Sequence, residues 1–235
     1  AIAIEPKHVD AHSNKLFTLN YHPTKTAEEI FVHYRDFNDR FSENFSPVWT
    51  RKTHDFSTDR LLKIGYISPD FRSHSAARFI EPLFDSHDNS KVELFAYSGV
   101  ITEDITTAYL RSKTSCWTST IGLDDRSLAD KIAGHKIDIL VDLAGHTCGN
   151  RLPMMTRYKP APIQVSFLGY GYTTGIEAID YFITDSICTP LGTDHLYAEA
   201  PWRLSTNYAY RPRDDMGSIS SLPAKKNGFI TFGSC

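Results

Sequence analysis

The segment Ile137-Asp-Ile-Leu-Val-Asp-Leu143 is a short apolar run that stops at Ala-Gly, and Ile163-Gln-Val-Ser-Phe-Leu168 repeats the pattern and stops at Gly. Short runs rich in β-branched and aromatic residues are typical of strands buried on both faces. Similar runs occur at residues 62–67, 92–97, 116–118 and 180–184. Helical patterns separate the earlier runs, at residues 76–84, 103–112 and 124–134. This alternation predicts an α/β fold with a doubly wound, Rossmann-like parallel sheet.

Glycine and small polar residues follow the two central runs, where an open parallel sheet binds its ligands. His146 and Thr147 come after one run, and Tyr170, Thr173 and Thr174 come after the next. Histidine, tyrosine and threonine side chains suit hydrogen bonding and stacking on a sugar or a peptide backbone. We therefore expect these residues to form one side of a cleft, although glycine-rich turns of this kind also occur without a ligand.

The composition is that of an ordinary globular chain and argues against several function classes. The 235 residues are 41% hydrophobic and 23% charged, with a formal net charge of -3. The absence of a basic run disfavours a nucleic-acid partner, and no apolar stretch is long enough to cross a membrane. The cysteines are scattered and form no C-x-x-C pair, so a reducing cytoplasm fits best and structural zinc is not expected. They are Cys116, Cys148, Cys188 and Cys235.

An α-helical segment is predicted to precede the sheet. Residues 1–22 carry helical patterns and look like the end of a helical array, and residues 23–60 contain a second helix followed by a polar linker. Thr26 and Glu29 have the spacing of a capping box at the start of that helix. One aromatic face follows at helical spacing, formed by Ile30, Tyr34, Phe37, Phe41 and Phe45. We expect this face to pack against the next domain, because such stripes are usually core.

The C-terminal part differs from the preceding residues in hydrophobic periodicity and in composition. Residues 204–212 carry no clear period, and residues 217–226 are rich in Ser, Pro and Lys, as in an interdomain linker. Residues 228–235 then resemble the beginning of a new buried strand. A sheet needs more than one strand, so we expect this run to open a second domain.

The loop Ser68–Ser75 follows the first predicted strand and precedes a helix. It contains no glycine, which disfavours a diphosphate held against its backbone in the manner of a dinucleotide-binding loop. His74 could accept a proton near neutral pH, or it could only cap the helix. Asp142 lies inside a buried run, where a lone carboxylate is costly, and we expect it to brace the adjacent loop. No set of side chains has metal-ligand spacing.

Several motifs, taken in order, resemble one known family. They include Ile64-Gly-Tyr-Ile-Ser-Pro-Asp-Phe-Arg-Ser-His74, Asp138-Ile-Leu-Val-Asp-Leu-Ala-Gly-His-Thr147, Pro160-Ala-Pro-Ile-Gln-Val-Ser-Phe-Leu-Gly-Tyr170 and Gly228-Phe-Ile-Thr-Phe-Gly233. From about residue 8 to its end, the chain resembles the SPINDLY-type branch of the protein O-linked N-acetylglucosamine transferases. These enzymes carry tetratricopeptide repeats followed by a two-lobed GT-B catalytic region.

The resemblance implies a division of the chain into four parts. Residues 1–22 would be the remnant of repeat helices, residues 23–60 a linking helix and linker, and residues 61–215 the N-terminal catalytic lobe. Residues 216–235 would be a linker and the first strand of the C-terminal, nucleotide-binding lobe. The missing remainder of that lobe would then be a partner of this chain in catalysis, and the chain alone would be inactive.

The resemblance also implies roles for particular residues. His74 matches the family's proposed base, and His146 matches a second histidine of the cleft. Thr147, Thr173 and Thr174 would shape the substrate side. The sugar-side loop Leu-Gly-Tyr-Pro matches Leu168, Gly169 and Tyr170, but Gly171 replaces the proline, and glycine lacks the fixed φ of proline.

The activity implied is inverting transfer of N-acetylglucosamine from UDP-GlcNAc to Ser or Thr of proteins, with no metal and no other cofactor. One alternative keeps the scaffold and uses GDP-fucose as donor. A second alternative, of a different class, is a non-catalytic module that docks proteins through residues 1–60.

Overall fold

A computed structural model describes residues 1–52, 54–57, 59–212 and 215–232. Its centre is a seven-stranded sheet in the order β3-β2-β1-β4-β5-β6-β7, and every neighbouring pair is parallel. The strands are β1 Leu62–Ser68, β2 Val92–Ser98, β3 Cys116–Ser119, β4 Ile139–Asp142, β5 Ile163–Ser166, β6 Tyr181–Asp185 and β7 Ala200–Leu204. The predicted doubly wound, Rossmann-like α/β fold is confirmed.

Seven α-helices accompany the sheet in the described residues. They are α1 Val9–Leu19, α2 Ala27–Phe41, α3 Ala77–Asp85, α4 Ile105–Ser112, α5 Asp125–Gly134, α6 Leu152–Tyr158 and α7 Pro223–Asn227. A 3₁₀ turn covers Asp194–Leu196. The predicted capping box is present at α2, where Glu29 N donates to Thr26 Oγ1 at 3.2 Å and Thr26 N donates to Glu29 Oε2 at 2.8 Å.

Three elements were not predicted: α6, β7 and the five-residue α7, which lies in the segment expected to be a linker. Helix α6 has only seven residues and Pro near its start, so too few turns exist for a helical period to show. Strand β7 lies at the edge of the sheet, and large apolar side chains such as Trp202 and Leu204 remain exposed there. An edge strand of this kind lacks the continuous apolar run of a central strand.

The aromatic face of α2 packs onto the lobe, as expected. Ile30, Tyr34 and Phe37 are buried in one cluster with Met155 of α6 and with Tyr170, which follows β5. The prediction was wrong for Phe45, which is 51% exposed. The physical reason is that α2 ends at Phe41, so Phe45 lies beyond the helix and off its face.

The linker over residues 46–60 follows the lobe closely. Val48 N donates to the carbonyl oxygen of Tyr158 at 2.9 Å. His54 Nε2 and Arg60 Nη2 both lie 2.6 Å from Oδ1 of Asp138, just before β4. The hydrogen bonds and ion pair hold the pKa of Asp138 below its usual range despite burial. These contacts tie the helical segment to the amino-terminal side of the sheet.

The strand predicted over residues 228–235 is not formed in the described part of that range. Residues 228–232 have no strand hydrogen bonds, and Phe229, Ile230 and Phe232 are exposed. A strand requires a neighbouring strand for its backbone hydrogen bonds, and none of the described residues supplies one. Residues 233–235 lie outside the described residues, and the division of the chain into domains stays a prediction.

Among the described residues, no helix combines the length and apolar character needed to cross a lipid bilayer.

Candidate functional site

A cleft of about 1010 Å³ opens at the carboxyl ends of the central strands. From β1 the chain adds β2 and β3 on one side of β1, and it then returns to add β4 to β7 on the other side. The direction in which strands are added therefore reverses between β1 and β4. Ligands of open α/β sheets bind at such a reversal, because the loops diverge there and leave a crevice. The walls come from the loops after β1, β2, β4 and β5.

The loop after β1, residues 69–76, is fixed by helix α4. Asp104 caps α4 by accepting from Thr107 N at 2.9 Å, and its second oxygen accepts from Ser73 N at 2.6 Å. Thr107 Oγ1 donates to the carbonyl oxygen of Phe71 at 2.7 Å. One capping carboxylate therefore holds both a helix end and the loop that carries His74.

His74 lies in the cleft with its side chain 38% exposed. Its Nδ1 accepts from Ala76 N at 3.3 Å, which puts the proton of the neutral ring on Nε2. Nε2 can accept a proton only when Nδ1 carries one, and the carboxylate able to hold that Nδ1–H is Asp70, whose Oδ2 lies 3.9 Å away. Catalytic hydrogen bonds are often long before substrate binds. At 3.9 Å the two groups are not hydrogen-bonded, so the arrangement is a histidine whose ring is held by Ala76 N, with a carboxylate nearby.

The loop after β4, residues 143–151, is braced from within, as predicted for Asp142. The buried carboxylate accepts from Ala144 N at 3.1 Å, from Gly145 N at 2.8 Å and from Ser166 Oγ at 3.3 Å. Burial raises its pKa to about 6. Thr147 lines the cleft, with its hydroxyl donating to Ala144 O at 2.8 Å.

Residues 168–175, here called the β5 loop, press against the β4 loop. Leu168 and Gly169 line the cleft. Leu168 has a φ of 73°, a strained conformation for a branched side chain. A Cβ on Gly169 would lie 1.9 Å from the carbonyl oxygen of Leu143, so only glycine fits there. Strain and close approach at a cleft wall are typical of functional loops.

His146 lies behind the cleft wall and is 1% exposed. Its Nε2–H donates to the carbonyl oxygen of Thr174 at 2.8 Å, and its Nδ1 accepts from Ser13 Oγ at 3.1 Å. The ring packs edge-on against Phe37 with centroids 4.7 Å apart. Burial lowers its pKa to about 4, so the ring is neutral near pH 7. Both ring nitrogens are already engaged and the ring does not reach the cleft, so this arrangement gives no support to the predicted catalytic role.

Tyr170 also faces away from the cleft, toward the helical segment. Its hydroxyl lies 2.6 Å from the hydroxyl of Tyr34 and accepts from Asn20 Nδ2 at 2.8 Å. Burial raises the pKa of both tyrosines. The ring that was expected to contact the sugar thus packs at the junction between the helices and the sheet.

Thr173 and Thr174 are fully buried and bind Glu199 rather than facing the cleft. Both hydroxyls donate to the Glu199 carboxylate, and Thr174 N donates to Oε1 at 2.8 Å. Glu199 is 2% exposed and has no cationic partner among the described residues. Burial raises its pKa. The two threonines fix the far end of the β5 loop.

Gly171 is exposed and lines a smaller cavity of about 450 Å³ on the other side of the β5 loop. The helical segment forms the opposite wall through Phe17, Asn20 and Tyr21. Gly169 lines both cavities, so the β5 loop is the ridge between them.

Of the predicted site residues, the structure brings four together in the cleft: His74, Thr147, Leu168 and Gly169. Their roles stay predictions. Sequence reasoning missed Asp70 and Tyr208, which also line it. Tyr208 and Tyr210 both pack on Phe79 of α3, with centroids 5.6 Å apart in each case. Two tyrosines separated by one residue, Tyr208 and Tyr210, were the sequence feature that could have predicted packing of this segment on an apolar surface.

Within the part of the chain that the structure describes, no group of three or more His, Cys, Asp or Glu side chains is arranged to hold a metal ion.

Several relatives match this chain, and the SPINDLY proteins among them match nearly all of it. The SPINDLY protein of Oryza sativa subsp. japonica, named as a probable UDP-N-acetylglucosamine–peptide N-acetylglucosaminyltransferase, is 37% identical over 238 residues, which are 99% of this chain and 26% of that protein. The Caenorhabditis elegans enzyme of the corresponding name is 34% identical over 141 residues, 59% of this chain and 12% of its own. This chain spans about a quarter of the length of the SPINDLY relatives.

Solved structures and family models agree with these relatives. A mutant O-GlcNAc transferase of Thermobaculum terrenum superposes with a TM-score of 0.85 at 32% identity, covering 92% of this chain and 41% of that one. The model of glycosyl transferase family 41 matches residues 12–210, a range that includes most of α1, all of α2 and the complete sheet. The chain therefore belongs to glycosyl transferase family 41.

Proposed function

We propose that this chain forms one wall of the active site of an inverting protein O-glycosyltransferase that moves N-acetylglucosamine from UDP-GlcNAc to Ser or Thr. The observation that carries the proposal is the cleft at the strand reversal of a family 41 chain, with His74 inside it. The printed names of the relatives state both the donor and a peptide acceptor. They give no support to the alternative with GDP-fucose.

The reaction is a single displacement. The acceptor hydroxyl oxygen bonds to the anomeric carbon as the bond from that carbon to the diphosphate oxygen breaks, and the configuration inverts. The hydroxyl proton passes to Nε2 of His74, directly or through a water molecule. For this step Nδ1 must carry the ring proton, which is the tautomer opposite to the one that Ala76 N favours. Asp70, whose Oδ2 lies 3.9 Å from Nδ1, is the proposed acceptor for that proton once the two groups move together. Leu168, Gly169 and Thr147 shape the wall beside the reacting groups.

The diphosphate requires positive charge or backbone N–H donors to stabilise it as it leaves. The loop after β1 has no glycine with which to cradle phosphates, so we assign this task to a second, C-terminal lobe of the protein. This assignment is supported by the greater length of the relatives, since this chain matches only 26% of the Oryza sativa SPINDLY protein and 41% of the solved transferase chain. Binding between two lobes would also exclude water from the cleft.

Helix α1 is proposed to be the remnant of a series of tetratricopeptide helices, helix α2 a linking helix, and the cytoplasm the location. The alternative of a non-catalytic docking module is less well supported. A module of that kind has no need of a strained cleft loop or of a histidine and a carboxylate side by side in the cleft.

The test is a transfer assay with the full-length protein, UDP-GlcNAc or GDP-fucose, and Ser/Thr peptides. We expect transfer with UDP-GlcNAc, and His74→Ala should lower kcat by about 100-fold or more if the ring acts as a base. Asp70→Asn should lower it by a smaller factor. His22→Ala, an exposed substitution outside the cleft, is the control. Transfer with GDP-fucose alone, or unaltered kcat in His74→Ala, would overturn the donor or the base respectively.

The 235-residue chain alone is expected neither to transfer sugar nor to bind UDP-GlcNAc with micromolar affinity. Calorimetric titration of the isolated chain measures this directly. Micromolar binding would place the nucleotide site in this lobe.

A further inference from the structure

Helix α1 presents polar groups, not only apolar ones, to the lobe. Ser13 is 2% exposed, and Asn20, at the carboxyl end of α1, turns its amide toward the β5 loop. Leu16, between them, is buried, whereas Asn20 is exposed at the end of the helix. A buried polar group such as the Ser13 hydroxyl weakens an apolar contact unless it binds a specific partner. Both Ser13 and Asn20 have such partners, and each partner leads to the β5 loop.

The first connection runs from Ser13 through His146 to the β5 loop. Ser13 Oγ donates to Nδ1 of His146 at 3.1 Å, and Nε2–H of His146 donates to Thr174 O at 2.8 Å. Since a carbonyl oxygen only accepts, the proton of the neutral ring is on Nε2, and Nδ1 must accept from the serine. Each hydrogen bond in this connection therefore has a defined donor: Ser13 donates to His146, and His146 donates to Thr174.

The second connection runs from Asn20 to Tyr170. Asn20 Nδ2 donates to the Tyr170 hydroxyl at 2.8 Å, and Asn20 Oδ1 accepts from the Tyr34 hydroxyl at 3.1 Å. Tyr34 belongs to α2, so both helices converge on one side chain of the loop. Tyr170 directly follows Leu168 and Gly169, the two loop residues that line the cleft.

We infer that Ser13 and Asn20 are positioning residues for sugar transfer, and that α1 sets the place of the cleft wall through His146 and Tyr170. This inference rests on the proposed function. The helical segment then supports catalysis without touching the substrate. It holds a strained loop whose displacement would move Leu168 and Gly169 away from the reacting groups, and small misplacements are costly for catalysis.

The kinetic test uses the full-length protein with UDP-GlcNAc and a short peptide acceptor. Ser13→Ala and Asn20→Ala should each lower kcat about fivefold, the effect of one hydrogen bond, while the protein remains folded at the assay temperature. The matched control is Thr18→Ala on the same helix, whose exposed hydroxyl bonds only within α1. An effect confined to the KM of long protein acceptors would overturn the inference, since it would make α1 a docking surface.

A double variant tests whether Asn20 acts through Tyr170. Asn20→Ala combined with Tyr170→Phe should lower kcat no more than Tyr170→Phe alone, because the Asn20–Tyr170 hydrogen bond is already absent and the remaining Asn20–Tyr34 bond no longer leads to the β5 loop. Additive losses would contradict a shared path.

Hydrogen–deuterium exchange separates this inference from the proposed function, since it requires no activity. In Ser13→Ala and Asn20→Ala, amides of residues 168–175 should exchange faster than in Thr18→Ala, while those of β1 stay unchanged. Unaltered exchange in the β5 loop would overturn the inference even if transfer is observed. Faster exchange in a protein without transferase activity would support the coupling and reject the function.

Discussion

The backbone N–H of Thr174 donates to Oε1 of Glu199 at 2.8 Å, in a place from which water is excluded. The carboxylate also accepts from two threonine hydroxyls and thereby closes the carboxyl end of the β5 loop. Together with the two connections from α1, it holds the loop from opposite sides.

Replacement of Glu199 by alanine should destabilise the chain by about 1–3 kcal/mol, because the Thr174 N–H would lose its buried acceptor. Glu199→Gln keeps one acceptor oxygen and should cost less. Chemical denaturation of the two variants measures the difference. Equal losses for Gln and Ala would show that the hydrogen bonds to Thr174 contribute nothing beyond the volume of the side chain.

Gly169→Ala should destabilise the chain by about 1–3 kcal/mol or more, since the added methyl group would overlap the Leu143 carbonyl oxygen. Gly171→Ala is the matched control two residues away, because a Cβ there meets no atom within 4 Å. Thermal unfolding of both variants measures the contrast. Similar melting temperatures would mean that Gly169 does not lie against the carbonyl oxygen of Leu143.

Stability should depend on pH through His146. Its pKa is about 4 in the folded chain and about 6.5 when exposed, so between these values the unfolded chain binds a proton that the folded chain does not. Its contribution to the free energy of unfolding is complete above pH 6.5 and is lost as the pH falls toward 4, at up to about 1.4 kcal/mol per pH unit.

The measurement is urea denaturation of the parent chain and of His146→Gln from pH 7 to pH 4.5. Burial raises the pKa of Asp142, so its contribution to the free energy of unfolding increases as the pH falls, opposite to that of His146. Because Asp142 is present in both proteins, this contribution cancels in the difference between them. The stability advantage of the parent chain should shrink as the pH falls. A constant difference across this range would contradict a buried neutral imidazole.

Gly171→Pro should leave the chain equally stable or stabilise it by about 0.4–1 kcal/mol, because proline restricts the unfolded chain. Gly171 is exposed and its φ is outside the left-handed region. The melting temperature of the chain and the KM for donor in the full-length protein are the measurements. A raised KM with unchanged stability would show that the freedom of Gly171 is needed when the sugar binds.

The sequence by itself determined the frame of this protein. Apolar runs that end at glycine predicted the central strands, and alternation with helices predicted their parallel arrangement. The capping box at Thr26 and the aromatic face of α2 predicted a helix that packs on the lobe. These signals are local, since hydrophobic period and capping chemistry act within one element.

The tertiary structure alone decided which residues of the loops meet the cleft. His146 and Thr147 are adjacent in sequence, yet one is enclosed by α1 and α2 while the other lines the cleft. The partner of His146, Ser13, is 133 residues away, and Glu199 is 25 residues from Thr174. Loops have no period that fixes side-chain direction, so contacts between distant elements determine whether a polar residue faces a ligand or braces the wall behind it.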